Sequence, residues 1–175
     1  MVAYRQLLNS RRILCKSKLP VIDKRVQRHD NSGWRPCGNN CPICPFTLPK
    51  TSIVHGQASN YKDEIKDKLS CDSERCIYYW KCDKRNCKEY PRCEYIGKTK
   101  RAFKTRLSEH RDYIKSCNIS EVSGEHFSKA GHSVANLKCL AIESVRSKDP
   151  FVLNARETLL IKKFDTFKNG LNRER

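Results

Sequence analysis

The sequence predicts an α/β domain built on a small sheet, with elements in the order β-β-α-α-β-α. Three observations lead there. Two short aromatic and β-branched runs, RCIYYWK and EYIG, flank a spacer rich in turn formers and cysteines, the pattern of two antiparallel strands. A helical apolar stripe follows at once, with Phe103, Leu107, His110 and Ile114 spaced for one face. Asp149-Pro150 then opens a last helix, because Asp caps free amides and proline suits the first turn.

Taken in order, residues 1–30 read as a basic, partly helical segment in which Leu7, Leu8 and Leu14 offer a thin apolar stripe. Residues 31–70 form a connector. Its first part, NSGWRPCGNNCPICPFTLPK, is rich in Gly, Asn and Pro and is expected to be irregular. Irregular backbone holding Cys37, Cys41 and Cys44 suits a metal knuckle, with Cys71 or His55 as a further ligand; a loose linker with stray thiols is the plain alternative.

Residues 71–175 carry the folded domain. After the two strands, Thr99 is expected to cap a helix over 100–116. A short helix over 121–130 stops at Gly131, a residue suited to a left-handed cap. The run NLKCLAIESV, residues 136–145, supplies a third strand. The last helix extends to about Phe164 and buries Leu153, Leu160, Ile161 and Phe164. No internal repeat is visible.

The charge narrows the function classes. Lys and Arg number 36 against 19 Asp and Glu, a formal net charge of +17 over 175 residues. Such an excess attracts polyanions, nucleic acid first and acidic lipid surfaces second. No apolar run approaches the ~20 residues a membrane helix needs, so no membrane partner is expected. Arg5, Arg11 and Arg12 interrupt any signal-peptide core. The stretch before Asp23 has no acidic residue, which also fits a mitochondrial transit peptide. An intracellular, reducing compartment is the expectation. There, eleven cysteines without a secretion signal point to thiolate metal ligands rather than a disulfide framework. Cys15, Cys117 and Cys139 sit among apolar neighbours and read as small buried hydrophobes.

Two charged residues stand where apolar ones are expected. Glu157 lies on the buried stripe of the last helix, four after Leu153, and Arg106 lies on the inward stripe of the first, three after Phe103. A buried carboxylate costs several kcal/mol unless it is paired or bound to a metal. A Glu at the stripe's edge, reaching solvent or an Arg, is the plain reading. Tyr78 and Tyr95, read plainly, pack as amphipathic strand residues. Taken together, Tyr, Arg, His and Glu suit phosphodiester hydrolysis. A tyrosine can take a proton from water, a guanidinium can neutralise phosphate oxygens, and a carboxylate can hold a divalent metal. Lys98, Lys100, Arg101, Lys104 and Arg111 would then contact phosphates, or else simply form a solvated face.

These residues resemble the GIY-YIG endonucleases. Cys76-Ile77-Tyr78 matches the first motif and Tyr95-Ile96-Gly97 the second; Arg106 follows nine residues later, His110 four after that, and Glu157 stands on a later helix. The chain is most similar to the endonuclease domain of Penelope-like retroelements. YIGKTKRAFKTRLSEHRDYI, EHFSKAGH and RETLLIKKFDTFKNGLN carry that likeness, and PCGNNCPICPF and AYRQLLNSRRILCKSKLP resemble the connector that precedes it. The likeness spans nearly the whole chain and is most specific over residues 71–172. Cys76 departs from the motif's glycine, and the cysteine spacer is longer than usual.

The resemblance implies a three-stranded antiparallel sheet flanked by helices, with an embedded zinc finger. It implies a DNA endonuclease that uses Mg²⁺ or Mn²⁺, held by Glu157. Arg106 would stabilise the scissile phosphate, and Tyr78 would act as general base or orient the attacking water. Tyr95 and His110 would support the phosphate and water network, and Gly97 would permit close backbone approach. Structural Zn²⁺ would be bound by Cys82, Cys87, His126 and His132, with Cys93 as the rival to Cys87; Cys37, Cys41 and Cys44 are candidates for a second zinc. The partners implied are DNA and a reverse transcriptase acting in cis or in trans, and the location is nuclear. No polymerase lies within these 175 residues, which suggests the terminal piece of an element or a stand-alone descendant. Two rival readings are kept: a catalytically inactive zinc-containing nucleic-acid-binding module, and a disulfide-rich secreted binder.

Overall fold

The computed structural model describes residues 32–38, 40–57, 59–87, 93–129 and 131–173. The predicted helical segment 1–30 and Cys15 lie outside these residues. The architecture is mixed α/β, centred on a three-stranded antiparallel sheet. Its middle strand, β5 (Cys76–Cys82), pairs with β6 (Glu94–Thr99) on one side and β7 (Leu137–Ser144) on the other. The run CIYYWKC is buried almost throughout, so both of its faces are covered and no polar alternation survives in it.

Two helices supply the cover. α1 (Phe103–Lys115) buries Phe103, Leu107, His110 and Ile114, the stripe the spacing predicts. It packs on the face that carries Tyr78 and Trp80, where Phe103 lies 5.8 Å from the Tyr78 ring. α3 (Pro150–Phe164) covers the opposite face, with Phe164 5.9 Å from the Tyr79 ring. Asp149 caps it, accepting from the Phe151 amide at 2.8 Å, and Pro150 occupies the first turn. Asp165, at φ 55°, ends it in the left-handed region before the short α4 (Thr166–Asn169).

Between these helices, α2 (Val122–Phe127) is shorter than predicted, and Gly131 beyond it takes the expected positive φ of 76°. Thr99 does not cap α1. It is the last residue of β6, and its hydroxyl closes a local turn with Arg101. The first amides of α1 instead donate to backbone carbonyls, Phe103 to Ser73 and Lys104 to Cys71, each at 2.8 Å. A tertiary contact has taken over the capping role, which local sequence cannot reveal.

The connector is not a loose strand of chain. Trp34 is wholly buried, stands edge-on to Phe103 at 5.4 Å, and donates its indole N–H to the Leu48 carbonyl. The Leu48 amide donates to the Cys139 carbonyl at 2.9 Å, pinning the connector to β7. Four short strands arise here that the Gly, Asn and Pro content conceals: β1 (Gly33–Trp34) with β4 (Lys68–Leu69), and β2 (Ile53–His55) with β3 (Lys62–Glu64). At the far edge of the sheet, Asn172 closes β6 by pairing both amide groups with the Ile96 backbone, at 3.0 and 2.8 Å. That covers part of an edge otherwise open to other strands. Cys139 is buried as expected, but Cys117 is exposed, in a left-handed turn at φ 51° after α1. Chain reversal places it outside, whatever its apolar neighbours suggest.

Candidate active site and metal centres

The register of the sheet sets the site. Tyr78 pairs with Gly97 and Trp80 with Tyr95 across β5 and β6, so all four lie on the face under α1. A register shift between Ile77 and Tyr78 against β7 puts a bulge beside Tyr78. Bulges twist a strand locally and re-aim the side chains beside them. Gly97 has no room for a side chain: a Cβ there would lie 2.5 Å from the Tyr78 hydroxyl and 2.6 Å from the Tyr95 ring. The absence of a Cβ at Gly97 thus lets the tyrosine rings approach to 6.4 Å between centroids.

The Tyr78 hydroxyl is the hub of a buried network. Arg106 Nε donates to it at 3.1 Å, and His110 Nε2 lies 2.9 Å from it. His110 Nδ1 is 2.9 Å from the Ser123 hydroxyl on α2. Burial, with the charge of Arg106 adding to it, pushes the His110 pKa down to about 3, so the ring is neutral near pH 7. Burial also pushes the Tyr78 hydroxyl well above its ordinary value, and the Tyr95 hydroxyl adds to this; Arg106 opposes the shift, while Glu157 reinforces it. Tyr78 is therefore a neutral phenol at rest.

Arg106 Nη1 donates to Glu109 at 2.8 Å, and Arg101 pairs with the other oxygen of that carboxylate at 2.5 Å. Burial opposes ionisation of Glu109, but the bonds from Arg106 and Arg101 outweigh it and hold the carboxyl below its usual range. Glu157 is buried on α3 and pairs with Lys98, and its charge is felt at Tyr78. It lines a cleft of about 290 Å³ with Asn172 and Arg173. Lys98 therefore contacts a carboxylate here. Among the other basic candidates, Lys100 is exposed and Lys104 pairs with Asp72 at 2.6 Å. Arg111 stacks over Phe46, 4.6 Å from the ring centre, and donates to the Pro42 carbonyl.

Two groups of four side chains could each hold a metal ion, their donor atoms lying within 4.8 Å of one another. The first is Cys37, Cys41, Cys44 and Cys71. Cys44 Sγ is 3.6 Å from both Cys37 and Cys71, close to the ~3.8 Å edge of a thiolate tetrahedron around zinc with ~2.3 Å bonds. The donor set is thus compatible with structural zinc. Cys71 completes the set and His55 does not join it; His55 is exposed on β2. Gly38 at φ 72° and Asn40 at φ 45° supply the tight backbone between the first two thiols.

The second group is Cys82, Cys87, His126 and His132. Cys87 Sγ lies 3.4 Å from His132 Nε2 and 4.0 Å from His126 Nε2. Cys93 is outside the group, its thiol facing Gln57 Oε1 at 3.4 Å. Burial pushes the Cys82 thiol up to about 11, so a metal must displace protons to bind. All the described cysteines are free thiols.

Sequence reasoning passed over three participants. Glu109 was legible as a carboxylate three residues after Arg106 on one helix. Ser123 and Asn172 carry no local signal; only the packing of α2 on α1, and of the tail on β6, brings them to the site. No family model, curated protein or solved structure matches the chain. Among the described residues, no helix is long and apolar enough to cross a membrane.

Proposed function

We propose that this chain is a metal-dependent DNA endonuclease of the GIY-YIG type, similar to those of Penelope-like retroelements. The observation that carries the reading is the buried hub at Tyr78, with Arg106 and His110 bonded to its hydroxyl and the charge of Glu157 felt there. A purely structural tyrosine needs one partner; this one has a cation and an imidazole.

The residues suggest a division of labour. Tyr78 accepts from Arg106 and gives its hydrogen to His110, which leaves one lone pair to accept from a water and orient it. With its pKa raised by burial, Tyr78 suits the role of orienting acceptor better than that of an ionised base. Arg106, anchored by Glu109, presents fixed positive charge to a phosphate without reorganising. Lys100 and Arg101, exposed near the start of α1, would hold the DNA backbone.

Glu157 fits a divalent cation, because it is a buried carboxylate on the inner face of α3 whose charge reaches the Tyr78 hydroxyl. Mg²⁺ or Mn²⁺ bound there would polarise the phosphate, and a single protein carboxylate is common for Mg²⁺. We assign Zn²⁺ to both four-residue clusters, since cysteine and histidine donors without an open position are its structural sites. A nuclear location and a reverse transcriptase partner belong to the same reading.

Plasmid nicking with Mg²⁺ or Mn²⁺ tests it. Wild type should nick, and Glu157→Ala and Arg106→Ala should not; equal activity in all three would overturn the assignment. One observation favours a second reading, a non-catalytic zinc-containing DNA-binding module: Glu157 is engaged by Lys98. Salt-dependent DNA binding with no nicking by any of the proteins would select it.

A further inference from the structure

Outside the residues already given roles, Ser123 stands out. It is fully buried, sits on α2, and faces His110 Nδ1 across the α1–α2 contact at 2.9 Å. The proton arrangement around it follows from donor and acceptor counting. The Arg106 guanidinium can only donate, so the Tyr78 oxygen is an acceptor at that contact. The single Tyr78 hydrogen is then available for His110 Nε2. To receive it, the neutral imidazole must carry its own hydrogen on Nδ1, and Nδ1 meets the Ser123 hydroxyl oxygen.

Resting on the endonuclease reading, we propose that Ser123 is a positioning residue for it. Its hydroxyl accepts the Nδ1–H of His110 and so locks the ring in the tautomer whose Nε2 accepts from Tyr78. Without that lock, a ring hydrogen on Nε2 would oppose the Tyr78 O–H, which would turn toward the water-orienting lone-pair direction.

Ser123 is itself held from two sides. The next residue, Gly124, lets α2 press on the turn after α1, where a Cβ would lie 2.0 Å from the Asn118 carbonyl oxygen. Three residues on, His126 belongs to the Cys82–Cys87–His126–His132 cluster. The metal cluster and the candidate catalytic network thus share one six-residue helix.

The test uses the full chain, metal-loaded, with ring-nitrogen NMR on His110 and plasmid nicking measured in parallel. Wild type should show the hydrogen on Nδ1. Ser123→Ala should shift His110 toward the Nε2–H form and slow nicking about tenfold, the equivalent of one neutral hydrogen bond. Ser123→Thr, which keeps the hydroxyl, should restore the tautomer and most of the rate. An unchanged tautomer in Ser123→Ala would overturn the proposal, as would a wild-type ring already carrying its hydrogen on Nε2. Glu157→Ala separates the two claims. If it nicks like wild type, the assignment of this site as the nuclease centre fails, while the tautomer measurement still decides whether Ser123 sets the ring.

Discussion

Tyr78 and Tyr79 are neighbours in one strand, equally buried, and on opposite faces with opposite kinds of partner. Tyr78 faces α1, where its oxygen meets the Arg106 guanidinium and the His110 imidazole. Tyr79 faces α3, where its hydroxyl donates to the buried Glu94 carboxylate at 2.9 Å, which also accepts from the Gln57 amide at 2.8 Å. The second arrangement ties the connector to the sheet, with the phenol donating to a carboxylate. The first keeps the phenol an acceptor beside fixed positive charge. Burial alone does not distinguish the two phenols; the charge of their partners does.

The comparison can be broken at several strengths. The largest effect should come from the Cys82, Cys87, His126 and His132 group on the Tyr78 side, the proposed zinc site. Cys82→Ser should lose one equivalent of bound zinc and on the order of 10 kcal/mol, close to the whole stability of so small a domain. Metal analysis and chemical denaturation would check it, and unchanged zinc content would mean the ligands are wrong. Next, Tyr78→Phe should cut nicking by about 10²–10⁴. Tyr79→Phe should leave the rate within a few-fold while costing about 1–2 kcal/mol through the lost bond to Glu94. Similar nicking losses in the two variants would erase the distinction between the faces.

Gly97→Ala probes the same face sterically. Its new Cβ would collide with the Tyr78 hydroxyl and the Tyr95 ring, so a loss of about 1–3 kcal/mol is expected along with weaker nicking. Wild-type stability would show that the tyrosines give way freely.

The smallest effect is a pH dependence. An unfolded histidine titrates near 6.5, whereas burial and Arg106 push folded His110 to about 3. Below about pH 6.5 the unfolded chain takes up a proton that the folded ring refuses. Stability therefore falls as pH drops from about 6.5 toward 3, by about 1 kcal/mol at pH 5.5. His110→Gln should flatten that part of the profile in thermal melts, and an identical slope in the variant would refute it.

Much of this was legible before folding. The two tyrosine strands, the third strand, the stripe of α1 and the proline-initiated α3 follow from period, turn residues and capping, all of which act within a few residues. Glu157 and Arg106 were conspicuous because charge on an apolar stripe breaks a local rule. Thr99 was misread as a cap because the acceptors for the α1 amides come from the chain before β5. Trp34 and the β1–β4 pair were missed because their partners lie tens of residues away, and the β2–β3 pair because each strand is only three residues long.

By itself, then, the sequence determined the main elements between residues 76 and 164, their order, and which side chains were out of place on them. Tertiary structure decided the rest: that Cys71 rather than His55 completes one cluster, that Cys87 rather than Cys93 joins the other, and that Ser123 meets His110. The physical reason is range. Helix and strand propensities are summed along a few bonds of the backbone, whereas a metal cluster or a hydrogen-bond chain depends on where distant segments meet.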